Sequence, residues 1–138
     1  MLTFNEDESV LYIGTLSNNG QVFALDFNKD HDPDGEPYLF ASNVGGGYHD
    51  GIGMDVCGNL YVADYNTRGL YRISPTGSVT ALLTGLGGNY GHALEWGSGI
   101  GGWQEMSIYM PQPYNNNNVM EVAIGVPAKG WEGTVINK

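Results

Sequence analysis

Positive charge is what this chain has least of. Its 138 residues carry 5 Lys and Arg against 15 Asp and Glu, a formal net charge of −10. Nucleic acid is excluded as a partner on that count, because a polyanion is held mainly by Lys and Arg neutralising its phosphates. The same shortage argues against binding to an anionic membrane surface. There is one cysteine, Cys57, so neither an intrachain disulfide nor a cysteine-built zinc site is available, and the redox compartment stays open. No apolar run approaches the ~20 residues of a membrane-spanning helix, and the N-terminus has no basic stretch followed by an apolar segment. Asn-x-Ser/Thr acceptor sites are missing as well. The expectation is a soluble protein, extracytoplasmic rather than cytosolic, with the compartment itself not fixed. No window sustains a 3.6-residue apolar period, so long amphipathic helices are not expected either.

Glycine, in contrast, is abundant. The chain has 22 glycines and 6 prolines, together still below the ~25–30% of low-complexity sequence, and 41% of its residues are hydrophobic. The glycines therefore belong to the turns of a folded protein. The turns punctuate a repeat. An apolar-Tyr-apolar triplet occurs at Leu11-Tyr12-Ile13, Leu60-Tyr61-Val62 and Ile108-Tyr109-Met110, with the tyrosines 49 and 48 positions apart. A second element, Val22–Leu25, Leu70–Ile73 and Val119–Val122, keeps the same spacing. A short apolar segment precedes each triplet, at Leu2–Phe4, Ile52–Met54 and Ala93–Trp96, and a fourth strand is expected at Pro37–Phe40, Val79–Leu83 and Gly133–Ile136. Asn19-Gly20, Gly58-Asn59, Pro75-Thr76-Gly77 and the Asn115–Asn118 run read as hairpin connections. Four short strands per unit at a period of ~40–50 residues is the pattern of a β-propeller. The chain thus reads as one all-β propeller segment over residues 1–138, with three four-stranded antiparallel blades at about 2–48, 49–88 and 89–138.

The second unit carries a resemblance. The run His49-Asp50-Gly51-Ile52-Gly53-Met54-Asp55-Val56-Cys57-Gly58-Asn59-Leu60-Tyr61-Val62-Ala63-Asp64 resembles the Asp-Gly-Ile, Asp-x-x-Gly-Asn-Leu-Tyr-Val-Ala blade motif of the regucalcin/gluconolactonase family, and is also similar to NHL-type propellers. The resemblance implies the C-terminal half of a six-bladed propeller. It further implies hydrolysis of lactones or related esters with one divalent cation, calcium or zinc, in the central channel. Asp50 matches the Asp of the Asp-Gly-Ile motif, where the family places a metal ligand and general base. The family's Asn-Gly asparagine and its N-terminal glutamate have no counterpart in this chain. The alternative implied by the NHL likeness is a non-catalytic segment serving as a binding or structural module.

Other residues are candidates on their chemistry. His49 and His92 precede the inner strands of successive blades and are suited to carry a proton near neutral pH, or else to bond backbone at the rim. Asp30-x-Asp32-x-Asp34-Gly35 reproduces the opening of a calcium loop, in which alternate carboxylates converge. Position twelve of that loop would be Ala41 rather than Glu, which excludes an EF-hand and leaves a shorter calcium turn or a solvated connection. Gly97-x-Gly99-x-x-Gly102 matches a dinucleotide fingerprint, but a strand rather than the required helix is expected after it. Trp96, Trp103 and Trp131 suit either a pocket or the packing between blades, and Cys57 suits a turn. Three blades leave sheet faces and edges exposed, a liability unless covered. A homodimer completing six blades, or the remainder of a parent chain, is the expected cover.

Overall fold

The computed structural model describes residues 1–16, 19–87, 90–114 and 118–132, and among these every regular element is a β-strand. Strands β1 (Leu2–Phe4), β2 (Val10–Gly14), β3 (Val22–Asp26) and β4 (Tyr38–Ala41) form the first antiparallel sheet in sequential order. β5 (His49–Met54), β6 (Leu60–Asp64), β7 (Gly69–Ile73) and β8 (Val79–Leu83) form the second in the same way. The third contains β9 (Glu95–Trp96), β10 (Ser107–Gln112) and β11 (Asn118–Ala123). The fourth strand expected at Gly133–Ile136 lies outside the described residues. These three sheets are the blades of a partial β-propeller.

Boundaries differ from the sequence expectation in instructive places. β5 begins at His49 rather than Ile52, and its register shifts between His49 and Gly51, which leaves Asp50 as the bulged residue. β9 is cut to two residues because Ala93 has a φ of 95°, a conformation no strand tolerates. β10 runs on through Pro111, which has no strand opposite it on the β9 side because that ladder stops at Tyr109.

Strand alternation explains the burial. In blade 2, Leu60, Val62, Tyr71 and Ile73 face blade 1 and pack with Val22, Ala41 and Val44, while Tyr61, Ala63 and Leu70 face blade 3 and pack with Trp96, Ile108 and Met110. β6 is consequently buried at every residue. Each fully buried Leu, Ile or Val among them contributes about 1.5–3 kcal/mol on burial. Trp96 stands edge-on to Tyr61 and donates its indole N–H to the Val126 carbonyl, which makes it an inter-blade packing residue. Trp103 and Trp131 are largely exposed.

Two buried carboxylates organise the loops. Asp55, at the β5–β6 hairpin, accepts the backbone N–H of Cys57 and Asn59 at 2.9 Å each, the Asn59 amide at 2.8 Å and the Tyr61 hydroxyl at 3.1 Å. Burial, and then the Asp55 charge, push the Tyr61 phenol well above its ordinary range. Asp64, at the end of β6, holds the connection that carries the chain from the outer strand of blade 1 to the inner strand of blade 2. It accepts Gly46 N–H at 2.9 Å, Tyr48 N–H at 2.7 Å, Thr67 N–H at 2.8 Å and the Thr67 hydroxyl at 2.6 Å.

Burial works against the Asp64 charge, but the Thr67 hydroxyl and the Gly46, Thr67 and Tyr48 amides outweigh it and hold the carboxyl below its ordinary value of 3.8. A folded-state value below the unfolded one gives stability that is complete above that unfolded value and is lost as pH falls through the lower, folded one. Replacing Asp64 by Ala strands three backbone donors and is expected to cost about 2–4 kcal/mol in urea unfolding near neutral pH. Asp64→Asn is expected to flatten the acid limb of the stability curve, and an unchanged limb would refute the assignment.

Candidate functional site

The crossover between blades 1 and 2 delivers two of the candidate residues to the start of the inner strand β5, and they behave differently. His49 is 2% exposed, and its Nε2–H donates to the Val44 carbonyl at 2.8 Å. A carbonyl only accepts, so the proton sits on Nε2 and Nδ1 is the bare nitrogen. That nitrogen has no partner among the described residues, and the side chain lies against Gly14, where an added Cβ would come within 3.2 Å of the His49 Cβ and 3.3 Å of Nδ1. His49 is thus a buried brace for the crossover.

Asp50 turns the other way. A bulge re-aims the side chain at the position it inserts, and the Asp50 side chain is 49% exposed. Its Oδ2 lies 2.8 Å from Nδ1 of His92, whose side chain is 16% exposed. The carboxylate accepts and Nδ1–H donates. His92 is held between the rings of Tyr65 and Tyr114, with centroids 4.4 and 5.0 Å away. Its Nε2 is buried and has no hydrogen-bond partner among the described residues.

The structure therefore joins two candidates that lie 42 residues apart in sequence. The ladder register explains why they meet. Gly53 of β5 stands opposite Tyr61, and Glu95 of β9 opposite Tyr109. Asp50 and His92, each three residues earlier, occupy the same place in consecutive blades. The sequence concealed this equivalence because Asp50 precedes its blade tyrosine by 11 residues and His92 by 17. The extra length is in the Gly97–Met106 connection, which packs Trp103 on Tyr109 and places no helix after the Gly97-x-Gly99-x-x-Gly102 pattern.

Close backbone approach fixes the pair. A Cβ on Gly51 would fall 2.7 Å from the Leu94 nitrogen, so only glycine lets the start of β5 lie against the 93–94 segment. Gly91, at φ 106°, has the Asp64 carbonyl 2.5 Å from where its Cβ would be. His92 is thus flanked by two residues of positive φ, Gly91 and Ala93. Further along the inner strands, a cleft of about 240 Å³ is lined by Thr3, Ile52, Met54, Glu95 and Trp96 and reaches the 128–129 segment. Lys129 crosses there to donate its ammonium to the Phe4 and Asn5 carbonyls.

The remaining candidates stand apart. Asp30, Asp32 and Asp34 are exposed on the β3–β4 connection. That connection is closed by Asn28, whose side-chain oxygen accepts the Asp30 and Asp32 N–H groups at 2.9 and 3.0 Å. Cys57 is free and exposed in the β5–β6 turn. Calcium takes 6–8 oxygen ligands, and among the described residues no three His, Cys, Asp or Glu side chains converge as a metal set. The described residues by themselves do not fit the expected cation, and further ligands would have to come from outside them.

A family model described as the SMP-30/gluconolactonase/LRE-like region matches residues 2–84. Among solved structures the chain is similar to a luciferin-regenerating enzyme, with a TM-score of 0.67 and 16% identity, over 92% of this chain and 45% of that one. That likeness is one of fold, and the chain spans a little under half the length of the enzyme. Comparison with curated proteins gives no match. No helix among the described residues is long and apolar enough to cross a membrane.

Gly51→Ala is expected to force β5 from the 93–94 segment, at a cost of about 1–3 kcal/mol in chemical denaturation. Ala93→Gly, which relieves the strained φ, is expected to be neutral or to stabilise by up to about 1 kcal/mol. Equal effects from the two substitutions would contradict the contact described.

Proposed function

Because this chain belongs to the SMP-30/gluconolactonase/LRE-like family, we propose that it is part of a hydrolase acting on lactones or related esters, with Asp50 as general base. The observation that carries the reading is the 2.8 Å bond between Asp50 and His92 at the start of the inner strands. One oxygen of the carboxylate is taken by Nδ1–H, which fixes the side chain in one orientation and leaves Oδ1 to meet water. In hydrolysis Oδ1 takes a proton from water as its oxygen bonds to the acyl carbon. The tetrahedral intermediate then collapses, the acyl carbon–ring oxygen bond breaks, and the departing alkoxide is reprotonated from Asp50. The products are one carboxylic acid and one hydroxyl group, and the base is regenerated.

His92 is a positioning residue in this account. Its Nε2 is buried, so its influence on the reaction runs through Asp50. Asp50 is the one carboxylate at the pair, and the described residues do not complete a cation site around it.

The test is hydrolysis of simple aldonolactones and aryl esters with and without added Ca²⁺ or Zn²⁺. Asp50→Asn is expected to lower kcat/KM by about 10²–10⁴. His92→Phe keeps the ring between Tyr65 and Tyr114 but removes the Nδ1 donor, and is expected to lower kcat roughly tenfold and alter the pH profile while KM is kept. Hydrolysis untouched by Asp50→Asn would remove the catalytic assignment. No hydrolysis at all, with or without cation, would favour the NHL-like reading of a non-catalytic binding module.

A further inference from the structure

The chain leaves β11 unlike the third strands of the other blades. After β3 and β7 it turns back to form the outer strands β4 and β8. After β11 it runs inward instead. The N–H groups of Ile124 and Gly125 donate to the Met106 carbonyl at 3.0 and 2.9 Å, and the Val126 carbonyl then accepts the Trp96 indole N–H at 3.0 Å. The next residues lie antiparallel to the end of β5. Val56 N–H donates to the Pro127 carbonyl at 3.1 Å, Ala128 bridges Asp55, and Lys129 N–H donates to the Met54 carbonyl at 2.9 Å. The Lys129 ammonium then reaches the Phe4 and Asn5 carbonyls of blade 1. Residues 126–129 thus cross the inner strands of all three blades.

The crossing lies at the far end of β5 from Asp50. Asp50 is the second residue of that strand and Met54 the last, a span of about 13 Å. Ala128 and Lys129 line the same cleft as Ile52, Met54, Leu94 and Trp96, so the crossing bounds it on that side. Both ends of the crossing are glycines at positive φ, Gly125 at 80° and Gly130 at 71°, and a Cβ on either would meet nothing within 4 Å. The backbone there is free to turn without displacing a neighbour. Between the glycines Pro127 is buried, and Val126, Ala128 and Lys129 are half-buried. Burial works against the Lys129 charge and holds the amine below its ordinary value of 10.5, with the Glu8 and Glu6 charges opposing that. Closure therefore partly dehydrates an ammonium, a cost that opening returns.

We propose that residues 126–129 are a hinged strap, latched on blade 1 by the Lys129 ammonium, that opens and closes the cleft at the end opposite the Asp50–His92 pair. Opening turns the chain at Gly125 and Gly130. It takes Ala128 and Lys129 out of the cleft lining and frees the Met54–Val56 edge, while the β5–β6 and β9–β10 ladders stay formed. The groups that hold the strap, from Trp96, Met54, Val56, Phe4 and Asn5, all belong to this chain, so closure calls on no blade beyond the three described.

The test is native-state hydrogen exchange of the whole 138-residue chain, followed by NMR. Three N–H groups report on the strap: the Val56 and Lys129 amides and the Trp96 indole. They are expected to share one opening constant, larger than that of the β6 amides, which open only with the blade core. Lys129→Met keeps an unbranched side chain but removes the donors, and is expected to raise that constant about tenfold at all three positions with β6 unchanged. Lys129→Arg keeps donors and is expected to return it to the wild-type value. Gly125→Ala strains the closed backbone alone and is expected to raise the constant about fivefold or more. Wild-type groups that open with unrelated constants, or no faster than β6, would overturn the proposal, and this result needs no variant to fold. An opening constant unmoved by Lys129→Met or by Gly125→Ala would overturn it as well.

Discussion

The placement of the candidate site rests on a carboxylate that does no chemistry. Asp64 is fully buried and gathers the N–H groups of Gly46, Tyr48 and Thr67 around it. An unpaired charge in that position would be far too costly to keep, so the four hydrogen bonds are the condition on which the blade crossover exists. Once residues 44–48 are pinned to the end of β6, His49 is driven inward onto the Val44 carbonyl and Asp50 is turned outward at the bulge. Gly91 packs on the Asp64 carbonyl from the other side, so both partners of the Asp50–His92 bond are located relative to one residue.

The same economy of acidic residues runs through the molecule. A net charge of −10 would burden a compact fold with self-repulsion, yet Asp55 and Asp64 are spent internally, each answered by backbone donors in a loop that a glycine-rich chain could not otherwise hold in one shape. The glycines then serve close approach as much as turning. Gly51 and Gly91 sit where neighbouring backbone leaves no volume for a methyl group, and both lie beside the Asp50–His92 pair.

How much of this was legible in the sequence follows from what each feature depends on. Strands in a blade alternate between two neighbours, so the apolar-Tyr-apolar triplets and their 48–49-residue spacing were visible as pattern, and eleven of the twelve expected strands coincide with described ones within a few residues. Asp50 was visible through its blade motif. The Asp50–His92 bond was not, because a longer hairpin in blade 3 broke the equal spacing that would have aligned them. His49 and His92 looked alike as residues preceding inner strands, and only the direction of the chain at the bulge separates a buried brace from a partner of the carboxylate. The roles of Asp55 and Asp64 were hidden for another reason: a hydrogen bond to backbone N–H leaves no signature in side-chain identity beyond the acid itself.

The central claim is that Asp50 and His92 form one unit while His49 stands outside it, and imidazole tautomers report this directly. Long-range proton–nitrogen NMR spectra of the imidazoles above neutral pH are expected to show His92 protonated on Nδ1 and His49 protonated on Nε2, with Asp50→Asn moving the His92 resonances and leaving those of His49 in place. His92 in the Nε2–H form, or indifferent to Asp50→Asn, would contradict the account.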